Sequence, residues 1–276
     1  MKPSGPPRAV CVNDAWAQSG IKYSICSLVT DLSVYTSMLS SAESVGFSGP
    51  DVEFIYIDNT KGNEFDGYSG INRLLSVARG DIIILCHQDV LFEFDGRSEL
   101  NRVLHELDEL DPLWGVCGNT GGIGIGQLAI RITDPHGSDR FVGKLPKRVH
   151  SLDENLIVAK RSANLAVSAD LKGFHLYGTE LCLVAEALGY SSYVVDFHVR
   201  HLSGGSRDES LEQIRDAMIA KYRRFFRSRW IMSSCSIMYL SASRIKSAVL
   251  NQDLIVRLTR RLAHWWASRN DLGSGR

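Results

Sequence analysis

The run Gly80-Asp81-Ile82-Ile83-Ile84-Leu85-Cys86 leads straight into His87-Gln88-Asp89. On an extended chain, residues i and i+2 point to the same side. The imidazole of His87 and the carboxylate of Asp89 could therefore share one cation or one anion-bearing ligand. A mixed nitrogen and oxygen pair with open coordination positions suits Mn²⁺ or Mg²⁺ held jointly with substrate phosphates. The same three residues would also serve as a polar cap on a buried strand, with the histidine hydrogen-bonded. Asp58-Asn59 ends a second apolar run. It reads either as another carboxylate at the same crevice or as turn chemistry before a glycine-containing loop. His198 and His201 are three apart, so on one strand they would face opposite sides. The glycine run from Gly118 to Gly126 invites a phosphate-loop reading. It lacks the Gly-Lys-Ser/Thr ending, and a strand rather than a helix follows, so it reads as a flexible turn beside a cleft.

The elements that must position these groups alternate between strand and helix. Residues 21–28 read as a strand, and 32–45 as a helix with Asp31 as N-cap and Gly46 as its stop. Val52 to Ile57 is a second buried strand. A helix from about Tyr68 to Ala78 ends at Gly80, and Ile82 to Cys86 has the unbroken apolar character of a central strand covered on both faces. A helix over 97–109 and a strand over Leu113 to Cys117 follow. This βαβαβαβ order predicts an α/β fold with a mostly parallel, doubly wound sheet. In such sheets ligands sit beyond the carboxyl ends of the strands, where His87 and Asp89 stand.

Further on, 127–133 alternates like an edge strand, and the polar residues 134–150 read as a mobile loop. Leu156 to Ala159 reads as a short strand, 179–189 as a helix, and 191–200 as another strand. Ser206-Arg207-Asp208-Glu209 is a capping-box pattern opening a long helix, and a second helix carries Leu254, Leu258, Leu262 and Trp265.

The 276 residues are 44% apolar and 22% charged, which argues for a folded chain and against disorder. The net charge of zero is unevenly spread. Residues 221–276 hold 12 Lys/Arg against two Asp/Glu, leaving 19 basic and 29 acidic residues before them. That asymmetry suggests an anionic partner for the tail. No cysteine pair has C-x-x-C spacing, and Cys26, Cys86, Cys117 and Cys182 read as buried thiols. The first 20 residues have no apolar core of a signal peptide, and Trp230 to Leu240 is too short to span a bilayer. The expectation is a cytoplasmic protein, soluble or peripheral at the inner face of a membrane. Lys221 to Trp230 mixes basic and aromatic residues, and reads as an amphipathic helix with its basic face in water or as a peripheral membrane contact. No fold motif supports nucleic-acid binding.

Read together, Gly70-Ile71-Asn72-Arg73, Ala78-Arg79-Gly80-Asp81 and His87-Gln88-Asp89 resemble a family 2 glycosyltransferase, a family with the GT-A fold. Leu152 to Val158, Phe174 to Tyr190 and Val199 to Ser206 resemble that family's acceptor-side strand, its acidic motif before a helix and its closing His-x-Ser-Gly-Gly-Ser segment. The resemblance covers about residues 21–206 in the right order. It implies a GT-A-like mixed, mostly parallel sheet flanked by helices over 1–206, with a basic helical C-terminal extension over 207–276.

The resemblance also implies an activity: an inverting, hexosyl-type glycosyltransferase. The donor would be a nucleotide-sugar, expected to be a UDP-sugar, and the acceptor a saccharide or lipid-linked molecule, in polysaccharide or glycan synthesis. It assigns Ser27, Thr30, Asp58, Asn72, Arg79, His87 and Asp89 to the nucleotide-sugar. Asp89, His87 and His201 fall to a divalent cation, Mn²⁺ or Mg²⁺, and His175 and Asp153 to the acceptor side. Transfer needs a neutralised diphosphate and a base near the acceptor hydroxyl. Glu180 is the candidate base, with Asp153 as its substitute. His87 stands where the family has the first Asp of Asp-x-Asp, and Gly178 where it has a carboxylate. These departures motivate an alternative, a non-catalytic nucleotide-sugar or glycan-binding protein on the same fold.

Overall fold

The computed structural model describes residues 20–205, 209–232 and 236–271. Ser206 of the capping-box pattern, Cys11, Cys235 and the first 19 residues lie outside them. The chain divides into two compact units, Met1–Ile214 and Arg215–Arg276.

In chain order the first unit contains β1 (Tyr23–Val29), α1 (Leu32–Ser44), β2 (Val52–Asp58), α2 (Gly67–Val77), β3 (Ile82–Cys86), β4 (Val90–Leu91) and α3 (Arg97–Leu110). Then come β5 (Trp114–Gly118), β6 (Thr120–Gly124), β7 (Gln127–Asp134), β8 (Gly137–Val142), β9 (Lys147–Arg148) and β10 (Ser151–Leu152). It closes with β11 (Leu156–Lys160), α4 (Tyr177–Ala187), β12 (Ser191–Val194) and β13 (Val199–His201). Helix α5 (Glu209–Phe225) crosses into the second unit, which continues with β14 (Arg229–Met232), β15 (Ile237–Leu240), α6 (Arg244–Leu250) and α7 (Asp253–Asp271).

The central sheet has the order β2-β1-β3-β11-β5-β12-β9. β1 is parallel to β2 and β3, and β5 to β12, while β11 and β9 run antiparallel to their neighbours. The fold is mixed α/β with a mostly parallel central sheet flanked by helices, and helices follow at the C-terminal end, as the sequence predicts. Alternation along β3 divides the core. Ile82, Ile84 and Cys86 join a buried cluster with Met38 of α1 and Leu100 and Leu107 of α3. On the opposite face Gly70 of α2 packs on Leu28, and Gly178 of α4 on Ile157. Truncating a fully buried residue such as Ile84 to Ala would cost about 2–5 kcal/mol. Asp31 caps α1 by accepting from the N–H groups of Ser33 and Val34, at 2.8 and 3.2 Å.

Several local expectations differ from the structure. β2 lies at the sheet edge and is only partly buried. The glycine run is not a loose turn: Thr120–Gly124 is β6, paired with β7 and β10 in a second sheet of order β10-β6-β7-β13-β4. Within 134–150, β8 pairs with β7 and β9 with β12. Both are exposed, so no apolar alternation marks them. The apolar run 191–200 is two strands in two sheets. The Phe197 N–H turns back to the Val195 carbonyl at 2.9 Å, Asp196 pairs with Arg131, and the chain leaves the central sheet for the second. Helix α5 stops at Phe225, so Arg229 and Trp230 belong to a hairpin strand rather than to a helix.

Candidate functional site

The carboxyl end of β3 is where the two sheets meet. β3 ends at Cys86, the Val90 N–H closes a turn on the His87 carbonyl at 3.2 Å, and β4 begins. β13 pairs with β4, setting His201 opposite Val90, and the Leu202 N–H donates to the Asp89 carbonyl at 3.0 Å. This cross-sheet pairing brings His201 to the strand end. His87 Nδ1 lies 3.3 Å from His201 Nε2, and His201 Nε2 lies 3.3 Å from an Asp89 carboxylate oxygen. One ligand atom from each of the three residues falls within 4.8 Å of the others.

That spacing fits neighbouring donors around a cation bound at about 2.1 Å. The donor set is two imidazole nitrogens and a carboxylate oxygen, so His87, Asp89 and His201 can hold a metal ion. The far side of His87 is also fixed: its Nε2 faces the Tyr177 hydroxyl at 3.1 Å. Metal-bound histidines are commonly oriented by such outer hydrogen bonds. The Ser203 hydroxyl lies 3.1 Å from His201 Nε2.

Protonation suits the same purpose. Burial, reinforced by His201, drives the His87 pKa down to about 4, against the opposing pull of Asp89 and Asp153. The ring is neutral at physiological pH and has a lone pair to offer. Burial would raise Asp89, but hydrogen bonds from His201 and Ser203 and the charges of His201 and His87 outweigh it, bringing its pKa to about 2.

The cluster opens on a cleft of about 640 Å³, within the usual range for small-molecule sites. Of the residues singled out in the sequence, Thr30, His87, Asp89, Asp153, His175 and His201 line it. Gln88, also on the cleft wall, reaches across to the turn after β1. Its Oε1 accepts from the Thr30 and Asp31 N–H groups at 2.8 and 2.9 Å, and its Nε2 donates to the Thr30 hydroxyl at 2.8 Å. Gln88 thus pins the β1–α1 turn to the β3 strand end. A second cavity of about 150 Å³ lies at the other end of β3, beside Ile83 and Ala159, away from this cluster.

The other candidates are engaged elsewhere. Ser27 is buried with its hydroxyl 3.6 Å from Cys86 Sγ. Asn72 clamps Val167, donating to its carbonyl at 2.8 Å and accepting from its N–H at 2.9 Å. Arg79 pairs with Glu53 at 2.6 Å. Asp58 is exposed at the β2 end, beside the cleft residue Asn59, and the Thr60 hydroxyl and N–H hold its carboxyl below the usual pKa.

Glu180 departs most from expectation. It is fully buried in the first turn of α4, accepting from the Ser168 N–H at 2.8 Å and the Ser168 hydroxyl at 2.5 Å. It holds Ser168 and does not line the cleft. Gly178 explains the missing neighbour. A Cβ there would lie 2.4 Å from the Leu152 carbonyl oxygen, so no side chain fits.

The cleft has its own carboxylates in Asp153 and Glu154, on the turn between β10 and β11. Asp153 is exposed, and one of its oxygens accepts from the Asn155 N–H and side-chain amide, at 3.1 and 2.9 Å. Glu154 is more enclosed. Burial, then the negative charge of Asp153, raises its pKa to about 8. Sequence reasoning missed Glu154 and Tyr177. The signal for Glu154 was present: Asp153-Glu154-Asn155 abuts a buried apolar strand, the same polar-to-apolar boundary that marks His87 to Asp89. Tyr177 reaches His87 because Leu176, in the left-handed conformation at φ 64°, turns the chain sharply into α4. That conformation costs a non-glycine residue roughly 1–2 kcal/mol.

No family model matches the chain. A curated protein of Fuscovulum blasticum, "ATP synthase subunits region ORF 6", is 38% identical over 218 residues, which cover 77% of this chain and 88% of that protein. The chain belongs to the family of this ORF 6 protein. Among solved structures, this ORF 6 family member is similar to A197 from STIV, with a TM-score of 0.38 and 10% identity over 66% of this chain and 85% of that one. It is also similar to S. aureus TarS, with a TM-score of 0.46 and 13% identity over 73% of this chain and 39% of that one. A mycobacterial protein gives a TM-score of 0.40 and 13% identity over 86% and 88% of the two chains.

Proposed function

We propose that this protein is an inverting glycosyltransferase with a GT-A-like domain, moving a sugar from a nucleotide-sugar, a UDP-sugar on this reading, to a saccharide or lipid-linked acceptor. One observation carries the reading: His87, Asp89 and His201 converge at the carboxyl end of β3, on a cleft that also holds Asp153 and Glu154. The ordered motif resemblance over 21–206 supports it independently. Thr30, held by Gln88, and the exposed Asp58 stand at neighbouring strand ends where a nucleotide would lie, and Asp58 would recognise the base. A divalent cation held by His87, Asp89 and His201 would neutralise charge on the departing diphosphate. Tyr177 keeps the His87 ring oriented.

Glu180 has both carboxylate oxygens on Ser168, so the base falls to Asp153. Its carboxylate faces the cleft and would take the acceptor proton as the hydroxyl attacks. Glu154 stays protonated near neutrality, and its neutrality keeps a second negative charge away from the incoming acceptor. A single base with no positioned nucleophile fits inversion.

The test is a panel of nucleotide-sugars with Mn²⁺, Mg²⁺ or EDTA, read by thermal shift and by donor hydrolysis. Ligands that bind the native state raise the melting temperature. Asp153→Asn should keep donor binding and lose turnover by about 10²-fold or more. Wild-type turnover in that variant would remove Asp153 as base. The walled-off Glu180 and the sterically closed Gly178 favour one second reading, a non-catalytic nucleotide-sugar or glycan-binding protein. Donor binding without hydrolysis or transfer over a broad acceptor panel would select it.

A further inference from the structure

The second unit carries an apolar surface that its own packing leaves in solvent. Helix α7 meets α6 and β15, with Ile255, Val256 and Thr259 partly buried. At 100° per residue, Leu254, Leu258 and Leu262 fall on a different side, and they are 69%, 48% and 65% exposed. Trp265 lies on the same stripe and is also exposed. Arg257 and Arg261 border the stripe, and Arg260 lies farther round the helix; all three are exposed. On α6, Ile245 and Val249, four residues apart and so on one face, are exposed as well. The unit is strongly cationic: Arg215–Arg276 contains 13 Lys/Arg and three Asp/Glu.

We propose that α7 docks this protein on an anionic lipid surface. An exposed leucine stripe bordered by arginines matches a helix lying in the plane of a bilayer, with its apolar side among the acyl chains and its arginines at the headgroups. Among the described residues no helix is long and apolar enough to cross a membrane, which fits docking rather than spanning. The charge of the unit selects anionic lipid over a neutral bilayer, since each Lys or Arg near such a surface adds about fivefold in affinity. A second copy of this chain would bring the same positive charge to the contact, which disfavours self-association through this face. The proposal does not depend on what the cleft binds.

The experiment uses the full chain and two kinds of vesicle, phosphatidylcholine alone and an equimolar mixture with phosphatidylglycerol, read by co-sedimentation at low and raised salt. The expected result is binding to the anionic vesicles, weak binding to the neutral ones, and release by salt. Arg257→Glu with Arg261→Glu should weaken binding about thirtyfold or more. Leu258→Glu with Leu262→Glu should weaken it at least about tenfold. All four side chains are in solvent, so the variants should keep the wild-type melting temperature. If the leucine pair fails to fold, the arginine pair alone decides. Equal binding to both vesicles, or anionic binding unmoved by the substitutions in folded variants, would overturn the proposal. A concentration-dependent dimer that the leucine substitutions dissociate would assign the stripe to a second copy instead.

Discussion

Glu154 gives a test that needs no substrate. Its carboxyl group is enclosed beside Asp153, and burial followed by the charge of Asp153 raises its pKa from 4.5 to about 8. The N–H groups of Gly178 and Leu176 pull the other way without prevailing. A carboxyl group with a folded pKa above its unfolded one favours the folded state while protonated. That contribution is complete below the unfolded pKa of 4.5 and is lost as pH rises through the folded value of about 8. Inside the window each pH unit removes at most about 1.4 kcal/mol. Between roughly pH 5.5 and 7.5 the ceiling is therefore about 2.7 kcal/mol. Partial solvent access and relaxation of the β10–β11 turn reduce it, and about 1–2 kcal/mol is the working magnitude.

Glu154→Gln replaces the group with a neutral amide of the same size. Urea unfolding of wild type and variant at about pH 5.5, 6.5 and 7.5, with EDTA present, yields the difference in stability at each pH. Other titrating groups are common to both proteins and cancel. Relative to wild type, the variant should gain about 1–2 kcal/mol between the lowest and highest pH. A difference that stays constant across the range would refute the reasoning. It would mean that Glu154 is ionised in the folded protein and that the cleft wall carries two negative charges.

Four further outcomes follow from the geometry. Tyr177→Phe removes the hydroxyl 3.1 Å from His87 Nε2 and should lower Mn²⁺ affinity about 10–100-fold by calorimetric titration while leaving the fold intact. Glu180→Gln should cost about 1–3 kcal/mol in denaturant unfolding through its Ser168 bonds, and abolished donor hydrolysis in a folded variant would restore Glu180 as the base. Gly178→Ala places a methyl 2.4 Å from the Leu152 carbonyl oxygen and should destabilise by about 1–3 kcal/mol or more; an unchanged melting temperature would show that α4 can shift freely. Mn²⁺ should raise the melting temperature more than Mg²⁺ at equal concentration, and Asp89→Asn should erase the difference; equal responses in wild type would place the metal on other donors.

The sheet was legible where one segment contained the whole signal. Ile82 to Cys86 reads as a strand buried on both faces, and Asp31, with Ser33 and Val34 beyond it, marks the start of α1. Strand direction was not legible. β11 runs antiparallel between β3 and β5, and nothing local in Leu156 to Lys160 distinguishes that from a parallel strand. The split between β12 and β13 was hidden because Val194, Val195, Phe197 and Val199 are all buried, so the apolar run continues through the turn. His201 was chosen by motif order, but its meeting with His87 depends on β13 pairing with β4, about 110 residues away in sequence. Glu180 shows the opposite limit. A carboxylate in the first turn of a helix has one local signature, whether it faces a cleft or, as here, a neighbouring serine.

His87 in place of a carboxylate changes which ion the cluster can hold more than whether it can hold one. With His87 neutral and Asp89 ionised at physiological pH, their pKa values near 4 and 2, this pair carries one negative charge where two carboxylates would carry two. Mg²⁺ draws its affinity from charged oxygen ligands and parts reluctantly with its water. Imidazole nitrogens favour Mn²⁺ and the later transition ions in comparison. Less of a bound ion's charge would be cancelled by the protein, so more would remain for an anionic ligand. The burial that strips His87 of its proton leaves a lone pair free for a cation. The Tyr177 hydroxyl behind the ring fixes that arrangement, which ties the entry into α4, through the left-handed Leu176, to the chemistry at the end of β3.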